Sequence, residues 1–186
     1  LAQIHEAIAE VVPDRECVVT QGRRLSWREF TDRTRRLADV LRRHGLGCRR
    51  ERSQLANWES GQDHVALYLH NGTEYLEGML AAFKARCAPL NVNYRYIEEE
   101  LLYLFDNADA RVIVYHARFA PTLAKIRARL AGVKLWLQVA DDSGEPLLPG
   151  ALDYEQALRE AEPVPPPADL SPDDLYILYT GGTTGM

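Results

Sequence analysis

Short apolar segments alternate with helical segments through the middle of the chain. Residues 64–69, 89–92, 111–115 and 133–139 are dominated by aliphatic and aromatic residues, as buried strands are. The segments between them carry apolar residues at helical spacing over roughly 10–15 residues, and strands that alternate with such helices form βαβ units. The sequence therefore predicts an α/β fold in which a mostly parallel sheet is flanked by helices.

The composition is that of a globular protein. The chain has 186 residues, of which 46% are hydrophobic and 26% charged, and its formal net charge is −5. These values exclude a disordered chain and allow a sizeable core. The arginines occur as pairs interleaved with acids at helical spacing, which indicates a solvated helix face and argues against a nucleic-acid partner. No apolar run reaches the ~18 residues of a membrane span, and no signal peptide opens the sequence, so we expect a cytoplasmic protein.

Neither the cysteines nor the histidines form a metal-binding pattern. The three cysteines are scattered and odd in number, which is typical of ordinary thiols. The five histidines lie on separate predicted elements without a Cys or carboxylate partner nearby in sequence. We interpret all five as surface or helix-end residues: His5, His44, His64, His70 and His116. The sequence therefore predicts no metal site.

The N-terminal region predicts a helix, a hairpin and a second helix. Residues 3–12 are predicted to be helical because apolar residues recur there at helical spacing, namely Ile4, Ile8 and Val11. Residues 16–25 are predicted to form a hairpin. Ser26-x-x-Glu29 is a capping box that starts the second helix, which we expect to end at Gly45.

Two segments show neither the helical nor the strand periodicity of apolar residues. Residues 48–63 are polar and long for a connection, so we interpret them as an insertion, with a functional loop as the alternative. We expect Trp58 to anchor this loop. Residues 163–172 are rich in proline and predict an extended connector. The connector leads into residues 174–179, whose β-forming side chains predict a strand.

A glycine run follows this strand directly. It consists of Thr180, Gly181, Gly182, Thr183, Thr184 and Gly185. Glycines permit positive φ and leave backbone amides uncovered, and successive amides form a concave nest that suits an anion. The threonines add hydroxyl donors, and no acidic side chain lies among them to repel phosphate. The run therefore predicts a triphosphate-binding loop, with a flexible turn as the alternative, and it matches neither the P-loop nor the dinucleotide-binding pattern.

Residues 175–185 closely resemble the phosphate-binding signature of the adenylate-forming enzymes. This superfamily includes acyl-CoA synthetases, amino-acid adenylation domains and firefly luciferase. Gly181 stands where many members have Ser, and this variant is seen in bacterial fatty-acyl-CoA synthetases. The resemblance continues in the same order through residues 22–36, 65–91 and 94–107, so it covers nearly the whole chain.

The resemblance implies the N-terminal part of the large domain of an adenylate-forming enzyme, incomplete at the C-terminus. It implies an AMP-forming acid–thiol ligase that uses ATP, Mg²⁺ and coenzyme A to convert a fatty or similar hydrophobic acid into its acyl-CoA. The glycine run would hold the β and γ phosphates, with the hydroxyls of Thr183 and Thr184 as the sharpest candidates. The family's loop lysine, metal-binding glutamate and adenylation lysine would lie beyond Met186. We therefore assign no catalytic residue and expect the chain alone to be inactive.

Two other functions remain open for this sequence. One is the activation of an amino acid or an aryl acid, although residues 91–96 and 103–107 are more similar to acyl-CoA synthetases. The other is a non-catalytic nucleotide-binding or interaction module that keeps the fold.

Asn91 and Asn93 are interpreted as turn residues, with a place along a substrate approach as the alternative. The sequence leaves peripheral membrane association and the oligomeric state undecided.

Overall fold

Most helices and strands lie where the sequence predicts them. The structure is a computed structural model and describes residues 1–20 and 22–180. The helices are α1 (Ala2–Val11), α2 (Trp27–Arg43), α3 (Thr73–Lys84), α4 (Glu98–Asn107), α5 (Ala120–Ile126) and α6 (Tyr154–Glu160). The strands are β1 (Glu16–Thr20), β2 (Arg23–Ser26), β3 (His64–Tyr68), β4 (Ala88–Asn91), β5 (Ala110–His116), β6 (Leu135–Val139) and β7 (Leu152–Asp153). None of the helices in these described ranges combines the length and apolar character that a membrane span needs.

A five-stranded sheet has the order β4-β3-β5-β6-β7, and every neighbouring pair in it is parallel. The chain leaves β3 for β4 on one side and then crosses to β5 on the other side. The direction of winding therefore reverses between β3 and β5. In open α/β sheets, ligands bind outside the carboxyl ends of the strands at such a switch point. The predicted α/β class with a mostly parallel sheet is confirmed.

Apolar side chains cover both faces of this sheet, as is usual for parallel strands. Val65 and Leu67 of β3 belong to a core shared with α2, α3 and α6. Ala66 and Tyr68, which alternate with them, belong to a core shared with α4 and α5. Because both faces are covered, β3 must be apolar at successive positions. After His64 its sequence is accordingly a continuous apolar run.

The predicted hairpin and capping box are confirmed. β1 and β2 pair in antiparallel register. The backbone N–H of Glu29 donates to Ser26 Oγ at 3.3 Å, and the backbone N–H of Ser26 donates to the Glu29 carboxylate at 2.8 Å. The helix that they start ends at Arg43, and Gly45 then takes the left-handed conformation, with a φ of 67°. Glycine adopts that conformation without a Cβ penalty.

The loop of residues 48–63 closes on itself through a backbone bridge between Cys48 and Gln62. One turn of 3₁₀ helix, Arg52–Gln54, lies within it. The prediction that Trp58 anchors the loop is wrong, because this side chain is 88% exposed. The loop is therefore held by backbone pairing at its two ends and not by a buried aromatic residue.

The apolar residues whose spacing predicts α1 point away from the core. Their exposed fractions are 63%, 38% and 80%, in the order Ile4, Ile8 and Val11. The buried face carries Glu6, whose carboxylate is 2.6 Å from Lys84 Nζ and also accepts a hydrogen bond from Arg35 Nε at 3.0 Å. Burial lowers the pKa of Lys84 to about 8, although Glu6 opposes this shift. A buried carboxylate needs such partners, so ion pairs set the orientation of this helix.

His5 lies on the same buried face of α1. Its ring centroid is 5.3 Å from that of Trp27 and 5.5 Å from that of Phe30. Neither ring nitrogen has a hydrogen-bond partner in the described part of the chain. Burial, and then the charge of Lys84, lower the pKa of His5 to about 4. The interpretation of all five histidines as surface or helix-end residues is therefore wrong for His5.

We expect His5→Phe to stabilise the protein at pH 7 by about 1–2 kcal/mol, because it removes a buried polar ring without partners. The variant should also resist acid better. The unfolded chain protonates His5 near the ordinary pKa of 6.5 and the folded protein only near 4, so the wild type loses stability as the pH falls through that interval. Urea denaturation at pH 7 and pH 5 measures both effects.

His116→Phe is the matched control for this prediction. His116 Nδ1 accepts the backbone N–H of His70 at 3.0 Å. Phenylalanine offers no acceptor there, so this variant should lose about 1 kcal/mol of stability at pH 7. The interpretation of His5 is contradicted if both variants stabilise the protein or if both destabilise it.

Candidate functional site

Residues 174–180 run along the outer edge of β4. Ile177 forms a parallel bridge with Leu90, and its N–H donates to the carbonyl of Pro89 at 3.0 Å. The strand predicted over residues 174–179 is wrong in extent, because regular pairing is reduced to this one bridge. The segment nevertheless follows the direction of the sheet.

The short pairing has a cause in the sequence of β4. In a parallel ladder the residue before the bridge would offer an N–H to the carbonyl of Leu175, but Pro89 has none. The N–H of Leu175 donates instead to the side-chain oxygen of Gln62 at 2.7 Å. Proline therefore stops the ladder on the N-terminal side of the bridge.

The parallel bridge sends the segment toward the carboxyl ends of β3, β4 and β5. Thr180, the first residue of the glycine run, is exposed at this edge. The other five predicted site residues lie outside the described residues: Gly181, Gly182, Thr183, Thr184 and Gly185. The carboxyl edge of a parallel sheet is where α/β proteins bind their ligands.

Two tyrosine hydroxyls connect the segment to distant parts of the sequence. Asn91 Nδ2, at the end of β4, donates to the hydroxyl of Tyr176. The hydroxyl of Tyr179 donates to Asn107 Oδ1, at the end of α4, at 2.6 Å. Asn91 Oδ1 is buried and has no partner among the residues described. Asn91 therefore lies against the segment that leads to the glycine run, in addition to ending a strand.

A cavity of about 270 Å³ opens beside Tyr179. Among the residues described, no charged side chain lines it, and its lining combines carboxamides and phenols with aliphatic groups: Leu69, Asn71, Tyr75, Asn91, Val92, Asn93, Tyr94, Tyr96, Leu104 and Tyr179. Such a surface suits a neutral, partly apolar group and not a phosphate. Sequence reasoning missed most of these residues. The available signal is that most of them lie at or after the ends of two consecutive predicted strands, residues 64–69 and 89–92.

A second cavity, of about 660 Å³, lies at the switch point between β3 and β5. His70 follows β3 and His116 is the last residue of β5, and their ring centroids are 5.7 Å apart. Burial lowers the pKa of His116, which is half-buried, to about 4, so its ring is neutral at pH 7. Arg118 is paired with Asp141 at 3.1 Å and also with Asp142. Arg118 and the two aspartates of this cavity are therefore paired with one another.

The sequence matches a known enzyme family over nearly its whole length. A sequence model of the family described as AMP-binding enzyme matches residues 5–186. The chain belongs to this family. The predicted membership of the adenylate-forming superfamily is thus confirmed, and the glycine run lies at the end of the matched region.

Relatives of this chain include proteins named as CoA ligases. The chain is 49% identical over 183 residues to the medium-chain acyl-CoA ligase Mig of Mycobacterium avium, covering 98% of this chain and 33% of that protein. It is 36% identical to a 3-oxocholest-4-en-26-oate–CoA ligase of Rhodococcus rhodochrous, covering 100% of this chain and 31% of that protein. The chain therefore spans about a third of the length of these relatives.

A solved structure supports the same family fold. The N-terminal domain of FACL13 from Mycobacterium tuberculosis superposes on this chain with a TM-score of 0.78 at 25% sequence identity. The match covers 99% of this chain and 42% of that one. The arrangement of helices and strands is thus that of the N-terminal region of an AMP-binding enzyme.

Proposed function

We propose that this chain is the N-terminal part of an AMP-forming acid–thiol ligase, an acyl-CoA synthetase. In that reaction a carboxylate oxygen attacks the α-phosphorus of ATP and pyrophosphate leaves. The thiol of coenzyme A then attacks the acyl carbon and AMP leaves. The observation that supports the proposal is the parallel bridge at Ile177, which brings Thr180, the first residue of the glycine run, to the carboxyl edge of the sheet.

The glycine run would hold the β and γ phosphates. Its sequence offers backbone amides and three hydroxyls without an acidic side chain. The nearest acid upstream, Asp174, is paired with Arg86 at 3.1 Å, so its charge is already compensated. The residues assigned to this role are Thr180, Gly181, Gly182, Thr183, Thr184 and Gly185. Donors fixed in this way would stabilise the charge that develops on the leaving pyrophosphate.

Mg²⁺ would arrive on the nucleotide. In residues 1–20 and 22–180 no group of three or more His, Cys, Asp or Glu is placed to hold a metal ion. Mg²⁺ usually keeps several waters and is bound by substrate phosphates with one or two carboxylates. A nucleotide-borne ion therefore fits the described part of the chain, and it would offset negative charge on the phosphates.

The acid substrate would be fatty or similarly hydrophobic. The names of both curated relatives refer to such acids, a medium-chain acyl group and a cholestenoate. The uncharged cavity beside Tyr179 would accept a neutral, partly apolar group close to the phosphates. We place the reaction in the cytoplasm, where ATP and coenzyme A are available.

Acid-dependent exchange of pyrophosphate into ATP by the full-length gene product tests this function. The acids to compare are medium-chain and long-chain fatty acids, a steroid acid, benzoate and amino acids. We expect hydrophobic aliphatic acids to support exchange and to release AMP when coenzyme A is added. Preferred exchange with amino acids or benzoate would favour the competing adenylation enzymes. A folded protein that exchanges with no acid would favour a non-catalytic module.

A further inference from the structure

Arg86 occupies an unfavourable backbone conformation between α3 and β4. Its φ is 56°, in the left-handed region that glycine prefers. Among the described residues, the only other side-chain-bearing residue with a positive φ is Asp109, at 49°. Strain of this kind persists where surrounding contacts compensate for it. The contacts of Arg86 therefore indicate what the conformation is for.

The guanidinium of Arg86 joins three segments of the chain. It donates two hydrogen bonds to the Glu51 carboxylate, at 2.8 and 2.9 Å, in the loop of residues 48–63. It also donates to Asp169 at 3.3 Å and to Asp174 at 3.1 Å. Asp169 lies in the proline-rich connector, and Asp174 begins the segment that leads to the glycine run. The buried side chain of Arg86 therefore ties the connector and the segment that begins at Asp174 to the sheet.

The charges around Arg86 make this contact strong. Three carboxylates surround one guanidinium, and hydrogen bonds to Glu51 and then to Asp174 raise the pKa of Arg86 despite its burial. The side chain of Asp174 is only 11% exposed. Without Arg86 the shielded carboxylate of Asp174 would lose its ion-pair partner. The segment that Asp174 begins would then lose its charged anchor beside β4.

The register of residues 174–180 depends on this contact because backbone pairing alone is weak. Only one parallel bridge, between Ile177 and Leu90, joins the segment to β4. A slip of one residue would turn Ile177 away from the core and move Thr180 along the edge by about 3.3 Å. Side-chain contacts must therefore fix the register that the ladder leaves loose.

We propose that Arg86 is a positioning residue that fixes the register of residues 174–180 and thereby places the glycine run for phosphate binding. Glu51 supports its guanidinium, which gives the loop of residues 48–63 a role that a tolerated insertion would not have. The proposal rests on the phosphate-binding function proposed for the glycine run. Arg86 does not itself touch the nucleotide.

Arg86→Gly separates the contact from the backbone strain. Glycine relieves the positive φ, so the variant should fold, while every bond to the carboxylates is lost. In the full-length protein we expect the KM for ATP to rise about ten-fold or more, with the KM for the acid unchanged. Arg86→Lys keeps the charge without the planar fork and should recover part of the loss. Asp109→Gly is the matched control, because it relieves the same kind of strain at a residue whose side chain pairs with Arg111 and not with residues 174–180.

Hydrogen exchange in the same proteins provides a readout that needs no activity. Amides of residues 174–180 should exchange about ten-fold faster or more in Arg86→Gly, and at the wild-type rate in Asp109→Gly. An unchanged KM for ATP in an active Arg86→Gly protein overturns the proposal, as do unchanged exchange rates in that variant. A wild-type protein without pyrophosphate exchange counts against the proposed function instead, and amide exchange then still decides whether Arg86 holds the segment.

Discussion

Replacing Thr183 and Thr184 with valine is expected to lower acid-dependent ATP–pyrophosphate exchange by the full-length protein by about 10²-fold or more. Each hydroxyl is proposed to donate a hydrogen bond to a phosphate oxygen, and bonds to charged groups contribute about 1.5–3 kcal/mol each. Valine has nearly the shape of threonine, so the substitution removes the donors with little change in volume. The loss should appear in kcat as well as in the KM for ATP, because charge increases on the leaving pyrophosphate.

Serine at the same two positions is the control for this prediction. Thr183→Ser and Thr184→Ser keep both hydroxyls and should retain exchange within about three-fold of the wild type. The assignment of these hydroxyls is wrong if the valine and serine variants are equally active. It is also wrong if the valine variants change only the KM for the acid.

The elements that sequence reasoning predicts well are those set by local interactions. The capping box of Ser26 and Glu29 involves residues three positions apart, and the hairpin at residues 16–25 is set by a short turn. The buried strands are recognisable because parallel strands covered on both faces must be apolar throughout. Their alternation with helices is then enough to fix the fold class.

The expectations that fail involve partners far apart in the sequence. α1 presents Ile4 outward because Glu6 pairs with Lys84, which is 78 positions away. The strand predicted over residues 174–179 does not pair on the N-terminal side of Ile177 because its neighbour contains Pro89. Local patterns carry no information about which strand will become a neighbour, so neither outcome follows from periodicity alone.

In the candidate site, too, the parts set by local sequence are predictable and the parts set by distant partners are not. The glycine run is predictable because phosphate binding by backbone amides is a property of a few consecutive residues. Its support is not predictable in this way, since Asn91, Asn107 and Arg86 reach the segment from three separate elements. A positive φ at a residue other than glycine leaves no mark in the sequence. Only the assembled sheet brings these residues together.

Glu77→Ala is expected to cost about 3–5 kcal/mol of folding free energy, which is a large part of the stability of a typical domain. Glu77 is fully buried on α3, and its carboxylate accepts bonds from Arg33 Nε at 2.6 Å and from the hydroxyl of Tyr154 at 2.6 Å. Burial alone would lower the pKa of Arg33, but the hydrogen bonds from Arg33 to Glu155 and Glu77 outweigh burial and raise this pKa. Removing Glu77 leaves a partly buried cation short of one partner and a buried hydroxyl without an acceptor.

A graded series of variants, measured by urea denaturation, separates this network from simple loss of packing. Tyr154→Phe removes one hydroxyl and keeps the Arg33–Glu77 pair, so it should cost about 1 kcal/mol. Glu155→Ala should cost less than about 1 kcal/mol, because the side chain of Glu155 is 43% exposed and Arg33 keeps its bond to Glu77. The expected cost falls in the order Glu77→Ala, Tyr154→Phe, Glu155→Ala, because Glu77 is a buried charge, the buried Tyr154 hydroxyl is neutral and Glu155 is partly exposed. Glu77 of α3 contacts Arg33 of α2 and Tyr154 of α6, so it is expected to be the main partner of Arg33. This expectation is wrong if Glu155→Ala is as costly as Glu77→Ala.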